Sequence, residues 1–277
     1  MTLIEHLREL RSRVLKSALT VLIATIVCLF VAYEPIRRTI TQPYCDVPAK
    51  HRAVTNLQDT CALIIHSPLD GFTFRLKIAL IAAIVVSAPV WLWQVWRFVT
   101  PGLRHNERRY GLAFILSSTL LFAVGTVLAY LVLGKSLTAL LSFGGPGVVA
   151  QLTADEYLGF VIAMITAFGL GFEFPLIVVL LNFAGVLPTD ALRKWRRVAF
   201  FLLIVFAGFA VPSSDPFSML FLAVPLCVLY EATIIIGRVH DRRVRNREGS
   251  FDYALLDDDE ASPLPVATPA RELTDYT

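Results

Sequence analysis

What most constrains this chain is a series of long apolar runs with almost no charge in them. A bilayer's hydrocarbon core is about 30 Å thick, and about 20 apolar helical residues are needed to cross it. Six segments meet or approach that length: residues 17–33, 78–96, 110–133, 157–186, 198–211 and 216–237. In hydrocarbon the backbone must pair all its polar groups internally, so such runs fold as helices. Composition agrees: 17% of the 277 residues are charged, against about 25% in soluble domains. The expected fold class is an all-α integral membrane protein with six transmembrane helices. What lies between the spans leaves no room for a soluble catalytic domain.

The charges that remain are distributed unevenly. The segments before the first span, between the second and third, between the fourth and fifth, and after the sixth hold 18 of the 25 Lys and Arg residues. The opposite segments hold seven: Arg37, Arg38, Lys50, Arg52, Arg75, Lys77 and Lys135. Basic segments stay in the cytoplasm, which places both termini there. An even number of spans requires the same.

Residues 1–16 read as an amphipathic helix, with Leu3, Leu7, Leu10 and Val14 on one stripe and Glu5, Glu9 and Arg13 on another at four-residue spacing. They are too charged for a signal peptide. Residues 34–72 read as a long outside loop broken by Pro35, Pro43, Pro48 and Pro68. The fourth run has 30 residues and the fifth 14, about 45 Å and 21 Å as helix. The long run must tilt or bend, with Pro175 as a bend point, and the short one ends at Pro212. The boundaries expected are a membrane domain over residues 1–240 and a tail over 241–277. The tail runs from basic to acidic to Ser/Thr/Pro-rich sequence, and that composition reads as disordered.

Few motifs suggest enzyme chemistry. Gly134-Lys135-Ser136 ends like a phosphate-binding loop, but position 129 is Ala where that loop requires Gly. The five histidines lack ligand spacing, so no metal or other cofactor is expected. No metalloprotease or serine-hydrolase signature occurs. Glu173, in Gly169-Leu170-Gly171-Phe172-Glu173-Phe174-Pro175, is a carboxyl at membrane depth. It must meet a cavity, water or a hydrogen-bonding helix, because lipid cannot satisfy it. A small secondary transporter with Glu173 as its proton-coupling residue is therefore an alternative reading. Glu9 and Glu107 stand among cytoplasmic bases, where an ordinary ion pair is the default. Cys28 and Cys227 read as core residues, whereas Cys45 and Cys61 share the first outside loop and are candidates for a disulfide.

Several segments together resemble one family. They are His6-Leu7-x-Glu9-Leu10-Arg11-x-Arg13, Ser67-Pro68-x-Asp70-x-Phe72, Ser87-Ala88-Pro89, Gln94-Val95-Trp96-x-Phe98, Pro101-x-Leu103 followed by Glu107-Arg108-Arg109, Phe172-Glu173-x-Pro175, Leu192-Arg193-Lys194 and Asp215-Pro216-Phe217-Ser218. In order and spacing they look like TatC, the twin-arginine signal-peptide receptor of the Tat protein translocase. The resemblance implies a multi-pass protein of a bacterial-type cytoplasmic membrane, concave around its long fourth helix and two short last helices. It implies a receptor that binds twin-arginine signal peptides of folded precursors. It further implies that the receptor self-associates and recruits single-span TatA and TatB partners, with export driven by the proton-motive force. It implies no enzyme activity and no nucleic acid.

The signal-peptide site implied is Glu9 and Glu107, oriented by Arg11, Arg104 and Arg108 and shaped by Phe98, Pro101 and Leu103. Paired arginines call for planar bidentate acceptors, which carboxylates supply. The partner-binding region implied is Phe209, Pro212, Asp215, Ser218 and Met219. Pro212 and Met219 stand where the family commonly has Thr and Gln, and Asp70 where it commonly has Glu.

Overall fold

The structure, a computed structural model, describes residues 3–47, 63–99, 108–142, 152–212 and 215–248; the side chains of 3–5, 99, 108–111 and 243–248 are not described. The described residues form nine helices and one isolated bridge, Ile64 with Thr153. The chain divides into two units, Met1–Gly237 and Arg238–Thr277.

Helix α1 (Leu3–Phe30) is continuous and has no break near residue 16. The amphipathic segment and the first apolar run are therefore one element. Ser17, Thr20 and Thr25 donate their hydroxyls to the carbonyls of Arg13, Lys16 and Val21. Those back-bonds satisfy the hydroxyls inside the helix and let them enter an apolar environment.

The stretch expected as a Pro-broken loop begins with a helix, α2 (Tyr33–Cys45). Pro35 falls in its first turn, where backbone N–H groups have no helical partner in any case. Arg37 and Arg38 both donate to Glu34, which holds that carboxyl at about 2, well below its usual range. The Tyr130 and Tyr157 hydroxyls reach across to the carbonyls of Thr39 and Ile40. That pins α2 to the two helices that carry these tyrosines.

Helix α3 (Pro68–Val86) starts with a capping box: Asp70 accepts from the Ser67 N–H, and the Ser67 hydroxyl accepts from the Leu69 N–H. Ser67-Pro68-x-Asp70 is thus a helix-start signal in its own right, with Pro at the position that needs no donor. The second apolar run is not one straight span. It breaks at Ser87 into α3 and α4 (Ala88–Val99), with an angle of 58° between them. Pro89 explains the break, because its ring crowds the carbonyl four residues back and it lacks the N–H a continuous helix would donate there.

Helices α5 (Arg108–Ser142) and α6 (Ala154–Phe183) pack on each other most extensively. A second capping box, Thr153 with Glu156, starts α6. Tyr157, Leu158, Met164 and Phe168 of α6 are fully buried, which makes it the centre of the core. An ion pair from Lys77 to Asp155 ties α3 to its first turn. After α7 (Thr189–Lys194) and α8 (Arg196–Ala210), α9 runs from Pro216 to Glu248, past the boundary expected at residue 240. Arg196 pairs with Glu231 between α8 and α9.

Among the described residues, four helices are long and apolar enough to cross a membrane, in α1, α5, α6 and α9, and the bent α3–α4 pair makes a fifth candidate. The remaining expected span, the fifth in chain order, is α8. It is apolar but has only 15 residues, about 22 Å, which is shorter than a bilayer core.

Candidate functional site

The head of α1 meets the end of α4. The His6 and Phe98 rings stack with centroids 4.5 Å apart. One turn along α1, Glu9 accepts from the guanidinium of Arg13, through Nε at 3.1 Å and through Nη2. The carboxylate side chain is 28% exposed and that of Arg13 14%. The pair is the ordinary i,i+4 contact that the spacing allowed. The guanidinium on Glu9 is thus that of Arg13, while Arg11 points outward and is exposed. Chemically this is a half-open carboxylate with a guanidinium already seated on it. Pro101, Leu103, Arg104 and Glu107 lie outside the described residues. Arg108 opens α5, and its side chain is likewise not described. The described ends, Val99 of α4 and Arg108 of α5, bracket that segment.

Glu173 is buried, 7% exposed. Its Oε2 accepts from the Ser118 hydroxyl at 2.7 Å, and that oxygen in turn accepts from the Trp96 indole N–H at 2.7 Å. One acid on α6 therefore joins α5 and α4 through a single hydroxyl. Its other oxygen, Oε1, is buried with no hydrogen-bond partner among the described residues. The carboxyl meets a helix–helix hydrogen bond, the plainer of the two readings open from the sequence. The sequence reading did not single out Ser118. The signal was present, since Ser117-Ser118-Thr119 interrupts an apolar run at membrane depth and hydroxyls there need partners.

The residues grouped at the start of α9 do not form one surface. Asp215 and Ser218 are buried, and the Asp215 carboxylate caps α9 by accepting from the Ser218 N–H at 2.7 Å. The Ser218 hydroxyl contacts that of Ser136 on α5. Phe209 is 88% exposed, Pro212 is exposed and Met219 half-buried. Outward contacts in this region thus belong to Phe209 and Pro212, whereas Asp215 and Ser218 hold the helix end.

Comparison with known proteins bears on the whole bundle. A family model described as TatC, Sec-independent protein translocase protein, matches residues 5–225. The Sec-independent protein translocase protein TatC of Frankia casuarinae is 51% identical over 267 residues, covering 95% of this chain and 73% of that protein. The Aquifex aeolicus protein of the same name is 33% identical, covering 88% of this chain and 97% of that one. A crystal structure of the twin arginine translocase receptor TatC in the detergent DDM superposes with a TM-score of 0.67 at 31% identity, covering 84% of this chain and 99% of that one.

Proposed function

Because this chain belongs to the TatC family of Sec-independent protein translocase proteins, and is thus a multi-pass membrane component of protein transport, we propose that it is the subunit that binds twin-arginine signal peptides. In this reading six helices cross the cytoplasmic membrane with both termini inside, around a concave face. The signal's arginine pair docks at Glu9 and Glu107. The bound complex then recruits single-span TatA- and TatB-type partners near Phe209 and Pro212.

The observation that carries the reading is the Glu9–Arg13 pair at the head of α1, beside the end of α4. A carboxylate that already holds a guanidinium, yet stays partly open, can exchange it for another. An incoming arginine finds a planar acceptor already shaped for a guanidinium.

The test is photocrosslinking of the membrane-embedded protein to a twin-arginine signal peptide, with a twin-lysine peptide as the comparison. Lysine cannot make the bidentate contact, so crosslinking should fall. Glu107→Ala, and to a lesser degree Glu9→Ala, should weaken binding roughly tenfold or more, the cost of one charge-assisted hydrogen bond. Equal crosslinking of both peptides, or undiminished crosslinking in both variants, would remove the assignment.

A further inference from the structure

Between α1 and the α3–α4 bend lies a groove of about 420 Å³. Its walls are Val14, Ala18 and Val21 of α1, Ile84 of α3, and Trp91 and Val95 of α4. Two polar groups in or along those walls are already spent: the Trp91 indole N–H on the Ile84 carbonyl at 3.0 Å, and the Ser17 hydroxyl on the Arg13 carbonyl. The surface offered is therefore hydrocarbon, except for Gln94 and the single charged lining residue, Arg13. Phe98, stacked on His6, lies at the Arg13 end. Bases crowd the same end, namely Arg8, Arg11 and Lys16 on α1 and Arg97 on α4.

Size decides among occupants. One turn of α-helix with its side chains, about 10–12 Å across and 5.4 Å long, already takes roughly 400–600 Å³. A groove of that volume cannot enclose the several turns of a helical apolar segment, but it can hold a single extended acyl chain. The charge at its end selects an anion. Arg13 has five N–H donors and directs two of them to Glu9, so donors remain for a phosphate.

We propose that this groove is a lipid site: it holds one acyl chain of an anionic phospholipid, with the phosphate on Arg13. The groove stands on its own geometry. Only the leaflet, the cytoplasmic one, rests on the topology proposed above. A lipid wedged there supports α1 against the bend and sits one helical turn from Glu9. The mouth of the groove and the carboxylate are thus coupled through one guanidinium.

The test is native mass spectrometry of the full chain released from vesicles of equal phosphatidylglycerol and phosphatidylethanolamine. The expected result is one retained lipid per chain, enriched in phosphatidylglycerol. Ala18→Trp and Val14→Trp, which fill the groove from an exposed helix face, should abolish that retention. Leu116→Trp, an exposed position on α5, should leave it unchanged. Arg13→Gln should keep a lipid but lower the phosphatidylglycerol preference by about fivefold, the effect of one base near an anionic headgroup. Wild-type retention in both groove-filling variants, or no headgroup preference in the wild type, overturns the site. If those variants keep the lipid and instead lose crosslinking to a twin-arginine peptide, the groove belongs to the peptide and the lipid proposal fails.

Discussion

At the scale of single residues, Ser118 carries more than its size suggests. Its one hydroxyl accepts from Trp96 and donates to Glu173, so deleting it leaves two buried polar groups without that partner. Each buried hydrogen bond lost costs about 0.5–1.5 kcal/mol net. Glu173→Gln is milder, because an amide can still accept from the hydroxyl and retains capacity to donate. The expectation is that Ser118→Ala lowers the thermal midpoint in detergent clearly more than Glu173→Gln does. The reverse order would mean that the acid finds its partner elsewhere. Glu173 itself was legible in the sequence, because a carboxyl inside an apolar run is costly wherever it points. Its partners were not, since Ser118 lies 55 positions away and Trp96 lies 22 beyond Ser118. The Glu9–Arg13 contact was legible for the opposite reason: i,i+4 pairing is local and can be read from spacing alone.

At the scale of elements, the contact between α5 and α6 depends on side chains that are missing. A Cβ placed on Gly125 would lie 2.7 Å from the Phe168 carbonyl oxygen, and one on Gly169 would lie 2.8 Å from the Phe122 ring. Ala129, one turn on from Gly125, is fully buried on the same stripe. In lipid, helices gain by close packing rather than by hiding from water, so small residues set the crossing. Gly125→Ala gains helix propensity but must push backbone from backbone, and overpacking of this kind costs about 1–3 kcal/mol. Gly159→Ala, with nothing within 4 Å of its added Cβ, gains propensity of up to about 1 kcal/mol instead. Opposite shifts in thermal midpoint are expected, down for Gly125→Ala and up or level for Gly159→Ala; a neutral Gly125→Ala would show that α5 and α6 can separate freely. Elements were legible where the pattern was long and apolar, as in α5, α6 and α9. The kink at Ser87 was hidden because Pro89 interrupts a run whose hydropathy continues unchanged. Helix α2 was hidden because its prolines read as breakers, yet Pro35 falls in the tolerant first turn and Pro43 leaves the Thr39 carbonyl to the Tyr130 hydroxyl.

At the scale of the whole molecule, the open matter is sidedness, and two cysteines report on it. In the topology proposed from the Lys and Arg distribution, the connection between α1 and α3 lies outside the cytoplasm. Cys45 ends α2 in that connection, and Cys61 lies outside the described residues. Among the described residues, the free cysteines are Cys28, buried in α1, and Cys227 in α9. An oxidising compartment permits a bridge between Cys45 and Cys61, whereas cytoplasm would keep both thiols reduced. A loop of about 15 residues closed this way gains about 3 kcal/mol in the chain-entropy model. The described ends of the segment are anchored: Tyr44 and Val47 are buried in the core, two tyrosine hydroxyls sit on α2 carbonyls, and Ile64 pairs with Thr153. The family resemblance does not require the bridge, so it tests the topology independently of it. Non-reducing peptide mass spectrometry of protein purified from membranes should recover Cys45 and Cys61 as one linked peptide pair, with Cys28 and Cys227 alkylated. Replacing either Cys45 or Cys61 by Ser should lower the thermal midpoint, and adding reductant should lower the wild type to match while leaving the variants unmoved. Recovery of Cys45 and Cys61 as alkylated free thiols, without prior reduction, would discard the bridge. It would also remove the support it lends to an outside placement of α2, leaving the charge distribution to carry the topology alone.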